Sequence, residues 1–175
     1  MNRFIIDKTP EAIAMALCNK HVVKMPLEEA QMLCTAMHIH APKDWLETAN
    51  LYRQVHTNHP CTIWARHTST NYRFALDLFK AMLAEYTYRY DKVHASSRLI
   101  DKLEEGEQFI PRGVLTPHPE CFSEHINLKD GTQWPVRSYR LFYFADKREF
   151  LDYKRRPVPY WIRARLRMEQ LRGER

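Results

Sequence analysis

Apolar and polar positions along the chain recur mainly with helical spacing. The strongest repeat lies in residues 71–90, where apolar side chains follow one another at intervals of three and four. Such spacing places them on one face of a helix and predicts a long amphipathic helix. The members of this repeat are Phe74, Leu78, Phe79, Met82, Leu83 and Tyr86. Alternation with a period of two, which marks half-buried strands, is nearly absent, so the pattern predicts an all-α fold.

Prolines and capping residues set the limits of the other predicted helices. Thr9 can cap a helix that has Pro10 at its first position. Pro26 is expected to end or kink that region, because proline cannot donate the internal hydrogen bond. Pro60 can begin a further short helix. We expect five to seven helices in the whole chain. The longer predicted segments are 10–21, 26–38, 44–52, 71–90, 95–105, 136–153 and 159–171.

Residues 107–135 interrupt this helical pattern. They hold four prolines and two glycines, and they are too long for a simple connection, so we predict a structured or lid-like loop. The chain has 175 residues, which is long enough to bury a sizeable hydrophobic core. We therefore expect a single compact helical domain over residues 1–175.

The composition excludes several function classes. Only four glycines are present and neither G-x-G-x-x-G nor a Walker sequence occurs, so a glycine-rich phosphate loop is excluded. No apolar stretch is long enough to span a membrane and no signal-peptide pattern is found, which favours a cytoplasmic protein without a membrane partner. The four cysteines lack C-x-x-C spacing and are expected to be buried free thiols.

Positive charge is concentrated at the C-terminal end of the chain. Residues 137–175 hold twelve Lys or Arg against five Asp or Glu, whereas the whole chain carries a net charge of +6. Aromatic side chains lie among these cations, and this combination suits a polyanion such as nucleic acid. A solubilising C-terminal helix is the other interpretation of this basic, aromatic segment.

A narrow polar stripe runs through the apolar segment NKHVVKMPLEEAQMLCT, residues 19–35. On a continuous helix, His21, Lys24, Glu28 and Gln31 share one face. An imidazole, an amine, a carboxylate and an amide together suit an active-site helix, with Glu28 as the candidate catalytic carboxylate. A solvated stripe on an amphipathic helix explains the pattern equally well.

Two further clusters contain residue types that bind nucleic acid. The first, within residues 64–71, offers a flat ring, a guanidinium group and an amide that can read a base edge. The second, EYTYRYDK at residues 85–92, offers tyrosines that stack on bases beside cations that hold phosphates. Both sets are equally compatible with core packing and internal ion pairs. The candidate binding residues are Trp64, Arg66 and Asn71 in the first cluster and Tyr86, Arg89 and Lys92 in the second.

His56 and His59 have a spacing that could ligate a metal ion, but no third ligand or carboxylate is adjacent in the sequence. The zinc signatures of hydrolases and deaminases are absent as well. We therefore predict no metal centre and no cofactor, and we interpret His59 as a contact to phosphate or to loop backbone.

Four ordered motifs resemble a family of short phage-encoded proteins. They are NKHVVKM with the following Glu28 and Gln31, then NHPCTIWARHTSTNY, EYTYRYDKVH and YRLFYFADKREF. The resemblance spans most of the chain and indicates a type of protein more than an activity. The chain is also distantly similar to the phage-type pyrimidine-dimer DNA glycosylases, small helical enzymes with a catalytic Glu seven residues after a histidine. His21 and Glu28 show that spacing, and a phage-encoded chain would be expected in the host cytoplasm.

One departure from those glycosylases concerns their nucleophile, a freed N-terminal α-amine that attacks the sugar. This chain begins Met1-Asn2, and a bulky second residue is expected to leave Met1 in place. Lys24 could supply the amine instead, and a glycosylase that uses water as the nucleophile is an equal alternative. Strand-cleaving lyase activity therefore stays open.

The sequence thus predicts a DNA base-acting enzyme, a glycosylase-like hydrolase that excises a damaged or modified base flipped out of duplex DNA. Glu28, assisted by His21 and Lys24, would carry out catalysis. One alternative is a transferase that hypermodifies a pyrimidine base in phage DNA. Another is a non-catalytic nucleic-acid-binding regulator or anti-defence protein. The remaining predicted DNA contacts are Gln31, His59, Tyr139, Arg140 and Lys147.

Overall fold

The computed structural model describes residues 2–173, apart from the side chain of Ser123, and over these residues it contains eight α-helices and no β-strand. The predicted all-α fold is confirmed, with one helix more than the predicted range. The helices are α1 (Pro10–Ala16), α2 (Asn19–His40), α3 (Lys43–Ala49), α4 (Pro60–His67), α5 (Ser69–Tyr90), α6 (Ile100–Gly106), α7 (Val136–Lys147) and α8 (Tyr160–Gly173). Short 3₁₀ helices occupy Ala95–Leu99, Glu107–Phe109, Ser123–Leu128 and Arg148–Phe150. Within the described chain, no helix is both long and apolar enough to cross a membrane.

Side-chain caps explain where α1 and the long helix α5 begin. Thr9 Oγ1 accepts the N–H of Ala12 at 3.3 Å, and Thr68 Oγ1 accepts the N–H of Asn71 at 3.1 Å. Each threonine thus satisfies one backbone donor that the first helical turn leaves without an internal partner. From this start, α5 packs against α1, α2 and α4.

Two hydrophobic clusters divide the core between them. The first joins the N-terminal segment, α1 and the N-terminal half of α2 to α7 and to the beginning of α8. The second joins the C-terminal half of α2 to α4, α5 and α6. Helix α2 belongs to both clusters, and its N-terminal half is therefore held against residues from the two ends of the chain.

Helix α2 continues through Pro26, so the predicted break at this residue is wrong. The chain leaves the helical conformation instead at Leu17 and Cys18, which are extended and separate α1 from α2. Pro26 is buried. It removes the internal hydrogen bond to the carbonyl of Val22, and burial of its ring offsets this penalty. The polar stripe of α2 therefore lies on one continuous helix.

The proline-rich loop that follows α6 is fixed to the start of α5. Thr68 Oγ1 donates to the carbonyl of Val114 at 3.0 Å, and the N–H of Ser69 donates to the carbonyl of Pro111 at 2.7 Å. A Cβ added at Gly113 would lie 2.6 Å from Cγ2 of Thr68, so the absence of a side chain permits this close approach. The loop is structured, and these contacts tie its first half to the helical scaffold.

Candidate active site

A cavity of about 210 Å³ lies beside the N-terminal half of α2. Three residues of the predicted polar stripe line it, together with the N-terminal segment and two residues of α7. The lining residues are Asn2, Phe4, His21, Lys24, Met25, Glu28, Phe142 and Lys147. The structure therefore brings the three predicted catalytic side chains to one cavity, together with Lys147, which was predicted as a DNA contact.

Glu28 supplies a carboxylate to this cavity. The residue is 8% exposed, and its Oε1 lies 3.0 Å from Nζ of Lys24, one turn earlier on α2. The backbone N–H of Asn2 donates to Oε2 at 3.3 Å. An ammonium group and a backbone donor thus orient a carboxylate that is largely withdrawn from solvent, and such charge-assisted contacts fix its geometry.

His21 is held at the same cavity as a neutral ring. Its imidazole stacks on Phe4 at a centroid distance of 4.8 Å, and Nδ1 lies 2.7 Å from the hydroxyl oxygen of Tyr143. That oxygen also accepts the N–H of Cys18 at 3.0 Å, so one hydroxyl connects the ring to the start of α2. Burial, reinforced by the charge of Lys147, lowers the pKa of His21 to about 4. At neutral pH the ring can donate a hydrogen bond but is not an imidazolium acid.

Lys147 and two phenyl rings complete the walls of the cavity. Lys147 pairs with Asp146, and its Nζ lies 5.7 Å from the ring centroid of Phe142. The Phe142 ring is stacked on Phe4 with a centroid separation of 6.3 Å and an interplanar angle of 24°. Together with Lys24, the cavity combines ammonium groups, a carboxylate and aromatic surfaces. Such walls suit a ligand that has a flat ring next to an anionic group.

Asn71, predicted to read a base edge, has a structural role instead. Its side chain is fully buried, and Nδ2 donates to the carbonyl of Trp64 at 2.9 Å and to Oγ1 of Thr116 at 2.7 Å. Oδ1 accepts the N–H of Thr116 at 2.9 Å. Trp64 is buried too, and its Nε1 donates to the carbonyl of Thr116 at 3.1 Å. Both side chains hold the proline-rich loop against α4 and α5, and the polar groups of Asn71 are occupied within the protein.

Arg89 and Tyr139 are also enclosed by the protein. Nε of Arg89 donates to Oε1 of Glu85 at 2.6 Å, and its Nη2 donates to the carbonyl of Met15 at 2.9 Å. The hydroxyl of Tyr139 donates to the carbonyl of Pro119 at 2.8 Å. Each of the two residues is 0% exposed. The predicted contacts of Arg89 and Tyr139 with DNA are therefore wrong, because internal partners occupy their polar groups.

Six further predicted contacts do not line the cavity. Arg140 is engaged within the protein, since its Nε donates to the carbonyl of Ile6 at 2.8 Å and its Nη2 to Asp7 at 2.8 Å. Tyr86 packs against Tyr90, with ring centroids 5.2 Å apart. Of the six, Lys92 is exposed and the other five are half-buried. The set consists of Gln31, His59, Arg66, Tyr86, Lys92 and Arg140.

Besides Met25 of α2, sequence reasoning missed four residues that shape the cavity or hold its histidine. They are Asn2, Phe4, Phe142 and Tyr143. The two α7 residues lie in the motif YRLFYFADKREF, of which only Tyr139, Arg140 and Lys147 were predicted as contacts, and nothing in the N-terminal segment indicated its position beside α2. Their roles arise from contacts between distant parts of the chain, which spacing within one helix does not reveal. Met1, which was expected to be retained, lies outside the described residues.

Comparison with protein-family models, with curated proteins and with solved structures found no match to this chain. The chemistry of the cavity therefore has to be inferred from its own geometry.

Proposed function

We propose that the protein is a DNA base-acting enzyme, a glycosylase-like hydrolase that cleaves the bond between a damaged or modified base and its sugar. The observation that carries this proposal is the largely enclosed carboxylate of Glu28 in a small cavity with aromatic walls and two lysines. Glycosidic cleavage passes through an oxocarbenium-like transition state, which a nearby carboxylate stabilises. Aromatic surfaces and cations are the other features that a flipped nucleotide requires.

Glu28 would act as an electrostatic stabiliser or as a general base. Positive charge develops on the sugar as the base departs, and a carboxylate in an enclosed site lowers the energy of that charge. The same group can accept a proton from an attacking water molecule. Its partner Lys24 is 62% exposed, so a DNA phosphate can take over the ammonium group on binding. The N–H of Asn2 would then continue to orient Glu28.

His21 and Lys147 would contribute binding and not acid catalysis. Because His21 is neutral, its ring can form a hydrogen bond with a sugar hydroxyl or a base edge. Lys147 adds a positive charge suited to phosphate at the wall of the cavity. The cavity volume of about 210 Å³ is below the roughly 300–1,000 Å³ of drug-sized sites. That size suits one sugar with its base better than a longer segment of nucleic acid.

The basic helix α8 supplies a surface for the rest of the duplex. Trp161 and Ile162 bury its first turn in the core, and this anchors the helix at one end. After these two residues, four arginines are exposed, and they can contact phosphates along the DNA backbone. These are Arg163, Arg165, Arg167 and Arg172.

End-labelled DNA duplexes test the proposal directly. The substrates carry a pyrimidine dimer, a hydroxymethylated base or a glucosylated base, and an unmodified duplex is included. After incubation, half of each sample is treated with hot alkali, which breaks strands at abasic sites. We expect alkali-dependent breaks in at least one modified substrate. Glu28→Gln should slow the reaction by a factor of about 10²–10⁴, while DNA binding is retained.

Glu47→Gln is the matched control, because it removes an exposed helical carboxylate on α3 and should leave the rate unchanged. A change in the mass of the base without an abasic site would favour the transferase, which needs the same flipped-base cavity. Intact strands and unchanged bases for all substrates, with salt-sensitive binding retained, would contradict an enzymatic role. That outcome would support a nucleic-acid-binding regulator instead.

A further inference from the structure

A second cluster of reactive side chains lies where the proline-rich loop meets the start of α4. A ring nitrogen of His59, Sγ of Cys61 and Sγ of Cys121 all lie within 4.8 Å of one another, and the two sulfur atoms are 3.4 Å apart. Cys61 is fully buried, whereas His59 and Cys121 are half-buried. The group is thus enclosed at one thiol and accessible at its other two members.

The backbones of both cysteines are held in place by neighbouring residues. The N–H of Cys121 donates to the hydroxyl oxygen of Tyr139 at 3.3 Å, and its carbonyl accepts from Nδ2 of Asn2 at 3.0 Å. The carbonyl of Cys61 accepts from Nη1 of the buried Arg3 at 3.4 Å. These contacts position the two sulfur atoms in advance, which reduces the entropic cost of forming a binding site.

We propose that His59, Cys61 and Cys121 bind one zinc ion through an imidazole nitrogen and two thiolates. This ligand set of two sulfurs and one nitrogen suits tetrahedral Zn²⁺. With Zn–S distances of about 2.3 Å, two thiolates in a tetrahedral site are about 3.8 Å apart, close to the observed 3.4 Å. Both thiol protons pass to solvent on binding. Water or Oδ1 of Asn2, which lies 3.9 Å from Sγ of Cys61, takes the fourth position.

Nδ1 of His59 carries the lone pair for the metal. This nitrogen accepts the N–H of Cys61 at 3.2 Å, so it is the unprotonated nitrogen of the neutral ring. Metal binding replaces that capping hydrogen bond with a coordination bond. Because the hydrogen bond caps α4, a variant that tests the ligand has to preserve the cap.

A disulfide between Cys61 and Cys121 is the competing interpretation. It requires the sulfur atoms to approach to about 2.05 Å, and it gives His59 no part in the cluster. The convergence of an imidazole on the two thiols favours the metal. The sequence predicted no metal centre because Cys121 is 60 positions from Cys61, so no short motif connects the ligands.

Cobalt(II) is the probe that tests this site in the full chain. The protein is reduced, freed of metal with a chelator and titrated with Co²⁺ under anaerobic conditions. We expect one Co²⁺ per chain, a thiolate-to-cobalt charge-transfer band and displacement of Co²⁺ by Zn²⁺. Cys121→Ser and His59→Asn should each weaken binding by at least about 100-fold. Asparagine is chosen because it retains the N-cap of α4.

Cys34→Ala and His67→Asn are the matched controls. Cys34 is a buried thiol outside the cluster, and His67 is an exposed histidine on α4, so both variants should bind Co²⁺ as the wild type does. Circular dichroism of every variant verifies that the helices are retained. A wild type without a thiolate band, or ligand variants that bind as tightly as the wild type, would overturn the proposal. A Cys61–Cys121 disulfide in a protein that binds no metal after reduction would also overturn it, and would assign a redox pair.

Discussion

Nδ1 of His21 lies 2.7 Å from the hydroxyl oxygen of Tyr143, and the same oxygen accepts the N–H of Cys18 at the start of α2. One hydroxyl group on α7 thus fixes both the ring orientation of the histidine and the first turn of the helix that carries it. The orientation of the His21 ring in the cavity is thus set by a residue 122 positions away.

The buried His21 should make the stability of the protein depend on pH. Its pKa is about 4 in the folded protein against an ordinary value of 6.5, so between these values the unfolded chain binds more protons. The stability that the neutral His21 contributes to the fold is therefore fully present above pH 6.5 and is lost as the pH falls through about 4. The free energy of unfolding, measured with urea, should fall between pH 7 and pH 4. This fall should be smaller by roughly 2–3 kcal/mol in His21→Gln than in the wild type.

His67→Asn is the control for this comparison, because it removes an exposed histidine from α4 and should leave the pH dependence as it is in the wild type. Parallel stability curves for the wild type and His21→Gln would show that His21 is not held neutral by its surroundings.

Lys24 should act as a phosphate contact and not as a covalent nucleophile. Its Nζ is paired with Glu28 at 3.0 Å, and its side chain is 62% exposed. We expect no protein–DNA adduct when the reaction is trapped with borohydride, and Lys24→Met should reduce the slope of log affinity against log salt by about 1. Lys43→Met, at the exposed start of α3, should leave the slope unchanged.

An adduct that forms with the wild type and disappears in Lys24→Arg would instead identify Lys24 as an amine nucleophile. An adduct that persists in Lys24→Arg would assign the nucleophile to another amine of the protein.

Asn71 should matter for stability and not for base recognition. Asn71→Ala removes three hydrogen bonds that a fully buried side chain makes to Trp64 and Thr116, and we expect the free energy of unfolding to fall by about 2–4 kcal/mol. Thr70→Ala, which removes one exposed hydrogen bond from the same helix to Gly113, should cost about 1 kcal/mol or less. Urea unfolding measures both. A selective change in base preference with unaltered stability would restore Asn71 as a reader of DNA.

The exposed arginines of α8 should provide sequence-independent affinity for DNA. Arg163 and Arg167 lie one turn apart on the helix and are both exposed. Replacing both with Gln should reduce the salt slope of duplex binding by about 2, because each phosphate contact releases about one counterion. Lys43→Gln/Arg53→Gln removes two exposed cations outside the basic segment and should have little effect. Equal slopes for both double variants and the wild type would exclude α8 from the DNA interface.

Local rules in the sequence determined most of the helices. The predicted helix at 71–90 corresponds to α5, Ser69–Tyr90, and Pro10 with the Thr9 cap begins α1 as expected. Both features depend on residues within four positions of one another, so they can be derived without knowledge of the fold. Pro26 was interpreted wrongly because its burial belongs to the tertiary structure.

The sequence alone indicated that His21, Lys24 and Glu28 share one face if the helix is continuous, because helical geometry fixes the direction of residues three and seven positions apart. That the helix does continue through its internal proline was decided by the tertiary structure. The residue types of Asn71 and Arg89 suggested DNA contacts, but their burial depends on which distant partners surround them. In the same way, the face of α2 borders a cavity because the N-terminal segment and α7 pack beside it. The chemistry of that face is local, whereas its enclosure results from contacts between residues far apart in the chain.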